Sequence, residues 1–205
     1  MTEDQAREMM AARFGPHRTE RVAQFLALVV EENSRQNLVS PSTVNSIWAR
    51  HALDSAQLLF HVEQSAETWL DIGTGGGFPG IVVALLFEGA VTMVEPRRRR
   101  AEFLQHCVER LDVPRAHVIG RKVEAIAGQF AVISARAVAS VEKLLQAAEH
   151  CATPETRWIL PRGRIEEDEL AILQRDRTRM FHVEQSLTDP ASSILIVDRQ
   201  RGRTR

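Results

Sequence analysis

The chain has 205 residues with 26 basic and 27 acidic side chains, a formal net charge of −1. That balance excludes a uniformly basic surface, so any polyanion-binding patch must be local. Hydrophobic residues at 44% and charged residues at 26% exclude an extended disordered chain, and the length suits one domain with an extension.

Residues 1–65 are expected to form a helical extension. A first helix, Thr2 to Phe14, sets Ala6, Met9, Met10 and Phe14 at helical spacing, and Gly15-Pro16 ends it. A second, His17 to Gln36, carries Val22, Phe25, Leu26, Val29 and Val30 on one stripe. Asn37-Leu-Val-Ser-Pro41 reads as a loop, and Ser42 is a suitable cap for a third helix, Thr43 to His61. On that helix His51 and Asp54 are three apart and share a face. Such a pair suits a helix-surface contact or a helix–helix hydrogen bond as well as a site.

Residues 66–199 alternate strand and helix, the sign of a parallel sheet, and 200–205 form a basic tail. The strands fall at 67–72, 90–95, 116–120, 130–134 and 157–161, with a helix of about 165–176 after the fifth. Two late runs, about 180–187 and 192–198, read as an antiparallel hairpin that closes the sheet. Cys107 and Cys151 lie in helical stretches without C-x-x-C spacing and read as reduced core residues of a cytosolic protein. No secretory segment opens the chain, and no apolar run approaches the length of a membrane span.

The chemistry concentrates in Trp69-Leu-Asp-Ile-Gly-Thr-Gly-Gly-Gly-Phe-Pro-Gly80, a strand that breaks into five glycines within eight residues and re-enters an apolar helix. Strand, glycine turn and helix open nucleotide-binding α/β folds. The dinucleotide fingerprint fails at Phe78, and no Gly-Lys-Ser/Thr follows for a phosphate loop. Asp71 stands at the strand end beside Gly73 and Gly75. Its carboxylate repels a pyrophosphate but suits an ammonium group, which it is expected to support through the glycine loop. Glu95 ends the second strand about 20 residues later, the place of a carboxylate that holds a ribose diol. An adenosine with a cationic amino-acid tail fits both, and S-adenosylmethionine is such a molecule.

Further candidates follow in order. Arg97, Arg98, Arg99 and Arg100 open the helix after strand two, where four cations oppose the helix dipole. They read either as a solvated face or as a phosphate-contacting patch beside the cleft. Arg121-Lys122-Val123-Glu124 follows strand three, in the loop that closes over an adenine. Arg136 follows strand four, at the crevice where open α/β sheets bind ligands. Strand five runs into Arg162-Gly163-Arg164.

Together with Asn37-Leu38-Val39, Arg50-His51-Ala-Leu-Asp54-Ser55, Val94-Glu95, Phe103-Leu104 and Ser134-Ala-Arg136-Ala137, the glycine segment resembles the small-subunit rRNA methyltransferase G family, also called glucose-inhibited division protein B. The resemblance spans roughly residues 20–198. It implies a class I S-adenosylmethionine-dependent methyltransferase fold, an α/β Rossmann-like architecture with a mostly parallel seven-stranded sheet. It implies a cytoplasmic bacterial enzyme that methylates N7 of one guanine in the decoding-region loop of 16S rRNA, with the small ribosomal subunit as partner; a monomer is expected. The family's cofactor contacts fall on Gly73, Phe78, Val123, Glu124 and Arg136. Five positions depart from the family: Thr74 for serine, Gly76 for alanine, Lys122-Val123 for Arg-Ala, and Arg162 for lysine. The last keeps charge and changes geometry, which puts a substrate role for Arg162 in doubt.

Guanine N7 carries a lone pair and no proton, so no general base and no metal is expected, and His51 is not expected to be essential. The Asn/Asp-Pro-Pro-aromatic segment of exocyclic-amine methyltransferases is missing after strand four, where Ser134-Ala-Arg-Ala137 stands. Two rival readings are a small-molecule methyltransferase and an RNA-binding module with a vestigial cofactor site.

Overall fold

The structure is a computed structural model and describes residues 1–136 and 140–200. Ala137, the last residue of the Ser-Ala-Arg-Ala segment, and nearly all of the basic tail lie outside the described residues.

Helix α1, Glu3–Phe14, starts at a reciprocal cap: the Thr2 hydroxyl accepts from the Gln5 amide, and the Gln5 side chain accepts from the Thr2 amide. Gly15 separates it from α2, Pro16–Gln36, whose apolar stripe buries Val22, Phe25, Leu26 and Val29. The third helix is not continuous. A 3-10 turn, Pro41–Ser46, passes into a wide π turn, Trp48–Leu53, then the short α3, Asp54–Ala56, and a second 3-10 turn, Gln57–His61. The break has a visible cause. The Glu3 carboxylate of α1 accepts hydrogen bonds from the Trp48 and Ala49 amides at 2.9 and 3.0 Å. Those amides are thereby capped from outside and the helix restarts there. Ser42 does not cap it; its hydroxyl pairs with that of Ser40 at 2.8 Å.

The sheet has seven strands in the order β3-β2-β1-β4-β5-β7-β6, with β7 antiparallel to its neighbours and the first five parallel. They are β1, Thr68–Ile72; β2, Ala90–Val94; β3, Ala116–Ile119; β4, Val132–Ala135; β5, Arg157–Arg162; β6, Arg179–Gln185; and β7, Ser193–Arg199. The expected strands are all present, including the closing hairpin. Strand four begins later than expected because Ala131 donates its amide to the Thr68 hydroxyl rather than to a strand neighbour. Between strands lie α4, Gly80–Leu86; α5, Arg98–Arg110; α6, Val141–Ala148; and α7, Glu167–Leu173. Helix α7 is shorter than the expected 165–176: past Leu173 the Arg175 and Asp176 amides bond to the Ile172 and Leu173 carbonyls in tighter turns.

Strand alternation sorts β1 between two faces. Trp69 joins Phe25, Met10 and Leu53 of the extension with Ile81 of α4 and Leu104 of α5 in one core. Leu70 and Ile72 face the other layer with Ile133, Leu144, Leu145 and Trp158. The extension thus shares its core with one face of the sheet. Both cysteines are free and buried, Cys107 in α5 and Cys151 in a 3-10 turn after α6. Burial pushes the Cys107 thiol up to about 12. No helix among the described residues is long and apolar enough to cross a membrane.

Strand order reverses between β1 and β4, which are adjacent in the sheet while β2 and β3 continue on one side and β5 on the other. Ligands of open α/β sheets bind at the carboxyl ends of strands at such a point. Gly73 leaves β1 there and Arg136 leaves β4 there.

The Glu3 cap makes a testable claim about stability. Glu3→Ala should cost about 1–2 kcal/mol in urea unfolding, the scale of a lost helix cap, with little change in the denaturant slope. Glu3→Gln, which keeps one acceptor, should lose about half as much.

Candidate cofactor cavity and an adjoining basic cavity

Asp71 lies beneath the glycine loop and is fully buried. Its carboxylate accepts from the Thr74 and Ser134 hydroxyls at 2.7 Å each, and from the Gly80 amide. Burial nevertheless pushes it up to about 6. Asp71 therefore offers no surface to a ligand ammonium group; it ties both ends of the loop to β4. The loop above it needs glycine for two different reasons. Gly75 sits at φ +60, a left-handed conformation facing the cavity. At Gly76 a Cβ would fall 2.9 Å from the Leu38 Cβ, so the loop packs directly on the extension.

The first cavity, about 480 Å³, is lined by the loop residues Gly73, Thr74, Gly75, Gly76 and Phe78, by Glu95 and Arg97 after β2, and by Val123 and Glu124 after β3. Arg136, Leu38 of the extension and Lys143 of α6 also line it. Glu95 is 3% exposed and bridges two elements. One carboxylate oxygen accepts from the Gly75 amide and the other from the Arg97 amide, both at 2.9 Å. Each carboxylate oxygen retains acceptor capacity beyond these bonds.

Arg136 forms the partition to a second cavity, also about 480 Å³, and is the only described residue that lines both. Its guanidinium lies 5.5 Å from the Phe78 ring centroid. One terminal nitrogen is 3.5 Å from Asp54 Oδ2 and the other 3.3 Å from His51 Nδ1. Burial pulls its pKa below the usual guanidinium value, while Asp54 and Asp71 oppose that shift. His51 Nε2 lies 2.8 Å from the Thr43 hydroxyl, which itself donates to the Ser40 carbonyl. We assign the proton to Nε2, which leaves the Nδ1 lone pair facing the Arg136 cation. Burial first, then Arg136 and Arg50, push His51 down to about 4.

The second cavity draws Arg50, His51 and Asp54 from the extension, Arg162 and Arg164 from the end of β5, Glu169 from α7, and Thr188, Asp189 and Ser193 from the closing hairpin. Four arginines thus face three carboxylates. Arg50 pairs with Asp189 at 2.6 Å, and Arg162 with Glu169 at 3.9 Å.

A family model for rRNA small subunit methyltransferase G matches residues 18–193. Among relatives carrying the name ribosomal RNA small subunit methyltransferase G, one from Erythrobacter litoralis is 44% identical over 205 residues, 99% of each chain. Another, from Novosphingobium aromaticivorans, is 45% identical over 181 residues, covering 86% of this chain and 78% of its own. The chain belongs to the rRNA small subunit methyltransferase G family. Solved structures share its fold at low identity. A methyltransferase from Geobacter sulfurreducens is 14% identical with a TM-score of 0.62, covering 86% of this chain and 89% of that one. An O-methyltransferase from Bacillus cereus in complex with SAH is 16% identical with a TM-score of 0.61, covering 86% and 91%. The fold is that of class I S-adenosylmethionine-dependent methyltransferases, as the sequence resemblance implies.

Membership gives the site residues a frame. Gly73, Gly75, Phe78, Glu95, Val123, Glu124 and Arg136 come together around one cavity, and Asp71 supports it from below. The arginine run after β2 divides. Arg97 and Arg100 line the first cavity. Arg98 is exposed and paired with Glu102 at 2.7 Å, and Arg99 lies with Glu31, Glu32 and Arg35 of α2 around a separate depression. It is not one continuous patch. Arg162 lines the second cavity. Arg50, Thr188 and Ser193 were not found by sequence reasoning. Thr188 donates to Asp54 across 134 positions, and no local pattern in the sequence marks such a contact.

His51 supplies a stability test. The unfolded chain protonates this ring near its ordinary value and the folded chain only near 4, so folding is opposed by protonation as pH falls between the two. Unfolding at fixed pH values should show wild type losing about 2 kcal/mol relative to His51→Gln as pH drops from about 6.5 to about 4. Asp71, whose raised value acts in the opposite sense over the same range, is present in both proteins and cancels in the difference.

Proposed function

We propose that this chain transfers a methyl group from S-adenosylmethionine to N7 of a guanine in the decoding-region loop of 16S rRNA, as a cytoplasmic monomer acting on the small ribosomal subunit or its precursor. The observation that supports this most is the pair of cavities divided by Arg136. One has the features of a nucleoside pocket, and the other carries the arginines expected of a phosphate-bearing substrate.

The residues present fit S-adenosylmethionine. Glu95 would hold the ribose hydroxyls with the acceptor capacity left after its two backbone bonds. Gly75 leaves its cavity face free of a Cβ, so a ligand can approach the backbone closely. Val123 and Glu124 would border the adenine, and Arg136 would face a carboxylate. Asp71 keeps Thr74 and Gly80 in register beneath. When bound, S-adenosylmethionine supplies an electrophilic methyl group on a sulfonium centre.

The chain's own contribution is positioning. An N7 lone pair needs no proton removed, so the residues must bind the base, aim it and exclude water, effects that can supply several kcal/mol. The target guanine must be unpaired or flipped out of its stack to enter the second cavity. His51 is consistent with this mechanism: its Nδ1 faces Arg136, and a value near 4 makes it a weak base. The single-turnover rate should be nearly flat from about pH 7 to 8.5, above the titration of both His51 and Asp71. A tenfold rise per pH unit in that window would mean that a proton is removed in the rate-limiting step.

Two measurements test the reading. Glu95→Ala should weaken S-adenosylmethionine binding by about 1–3 kcal/mol in calorimetry, and an unchanged dissociation constant would remove Glu95 from the ribose site. Small subunits from a strain lacking this protein, methylated by it in vitro, should be cleaved by borohydride and aniline at one guanine of 16S rRNA. Methyl incorporation without that cleavage would place the group on another atom. Incorporation into small molecules alone would favour the small-molecule methyltransferase.

A further inference from the structure

We propose that His51 and Asp54 of the helical extension are positioning residues for S-adenosylmethionine, acting through Arg136, although neither of them lines the cofactor cavity. The proposal rests on the reading of the glycine-loop cavity as the S-adenosylmethionine site.

The geometry is a brace that runs across the partition. On one side the Ser40 carbonyl orients the Thr43 hydroxyl, which accepts the His51 Nε2 proton and turns Nδ1 toward Arg136. On the other side Asp54 Oδ1 accepts from the Thr188 hydroxyl at 2.8 Å and from the Gln57 side chain at 2.9 Å. Those bonds leave Oδ2 for Arg136. Both acceptors are therefore fixed by other groups before they meet the guanidinium. Phe78 lies against both partners, with its ring centroid 5.0 Å from that of His51 and 5.5 Å from the Arg136 guanidinium carbon.

Such a brace matters because Arg136 follows the last residue of β4, and its guanidinium takes its hydrogen-bond partners from the extension. A guanidinium taken out of water needs hydrogen-bond acceptors to offset its lost hydration. The two supplied by the extension engage one N–H on each terminal nitrogen, and a guanidinium carries five N–H donors. The donors not taken by the brace remain for a ligand carboxylate or phosphate at the wall between the cavities. Removing either acceptor frees the side chain to leave that wall and lowers cofactor affinity from a distance. The neutral, Nδ1-accepting form of His51 is the one required, since an imidazolium there would present a second cation to Arg136.

A purely structural role for His51 and Asp54 predicts lower stability with unchanged affinity, so the readout is calorimetric titration of the full chain with S-adenosylmethionine and no RNA. His51→Leu and Asp54→Asn should each weaken binding about tenfold, the effect of one lost hydrogen bond to a charged group. His51→Asn, whose side-chain oxygen can replace the Nδ1 acceptor, should stay within about threefold of wild type, since the Arg136 contact is kept. In an Arg136→Met background, His51→Leu should add nothing further, because its route to the cofactor is gone. Folding is checked by thermal unfolding of each variant, and Asp54→Asn carries the test if His51→Leu does not fold. Wild-type affinity in a folded His51→Leu or Asp54→Asn variant, or additive losses in the double variant, would overturn the proposal. A wild-type chain that does not bind S-adenosylmethionine at all would overturn the cofactor reading and this proposal together.

Discussion

Much of this structure depends on one carboxylate buried in the sheet. Asp71 accepts from Ser134 on the neighbouring strand and from Thr74 and Gly80 at the two ends of the glycine turn. A buried charge is tolerated only where donors replace its hydration, and these three donors are also the elements that must stay in register for the cavity to exist. Trp69 extends the same network by donating its indole N–H to Ser134. Burial still holds the Asp71 pKa near 6, so the group is costly to keep ionised. That cost is consistent with a site whose shape matters more than its stability.

A second constraint comes from the extension. The first two helices and the broken segment after them pack on one face of the sheet rather than forming a separate core. This places Leu38 against Gly76 and brings Arg50, His51 and Asp54 to the rim of the second cavity. The closing hairpin reaches the same rim from the far end of the chain through Thr188 and Asp189. The basic cavity is thus assembled from both ends of the chain around the carboxyl ends of β4 and β5, and Arg136 is where it meets the glycine-loop cavity.

The alternation of apolar runs and the glycine turn was enough to read the sheet, because strand period and turn chemistry are local properties. The strand ends moved by one or two residues, and at β4 the Thr68 hydroxyl took over a backbone partner. The same local logic brought together residues that line the glycine-loop cavity, since a strand, its following loop and the next strand end are joined by the βαβ unit itself. It misjudged the third helix because the cap that breaks it, Glu3, lies 45 positions away. It also read four consecutive arginines as one unit, either a solvated face or a phosphate-contacting patch. Successive helix positions point in different directions, so two of the four face the glycine-loop cavity, one is ion-paired at the surface and one lies by the acidic end of α2.

The sequence by itself determined the α/β order, the glycine turn and the pairing of that turn with Glu95, and through a whole-chain resemblance it indicated the family. Each of these is carried by neighbours in the chain or by one crossover. Only the tertiary structure decided that Asp71 supports the loop from beneath rather than gripping a ligand, and that His51 and Asp54 meet at Arg136 rather than each other. The physical reason is that burial and hydrogen-bond partnership are set by which surfaces pack together. The contacts of Arg136 span 82 and 85 positions to Asp54 and His51, a separation over which residue order carries no direct record of proximity.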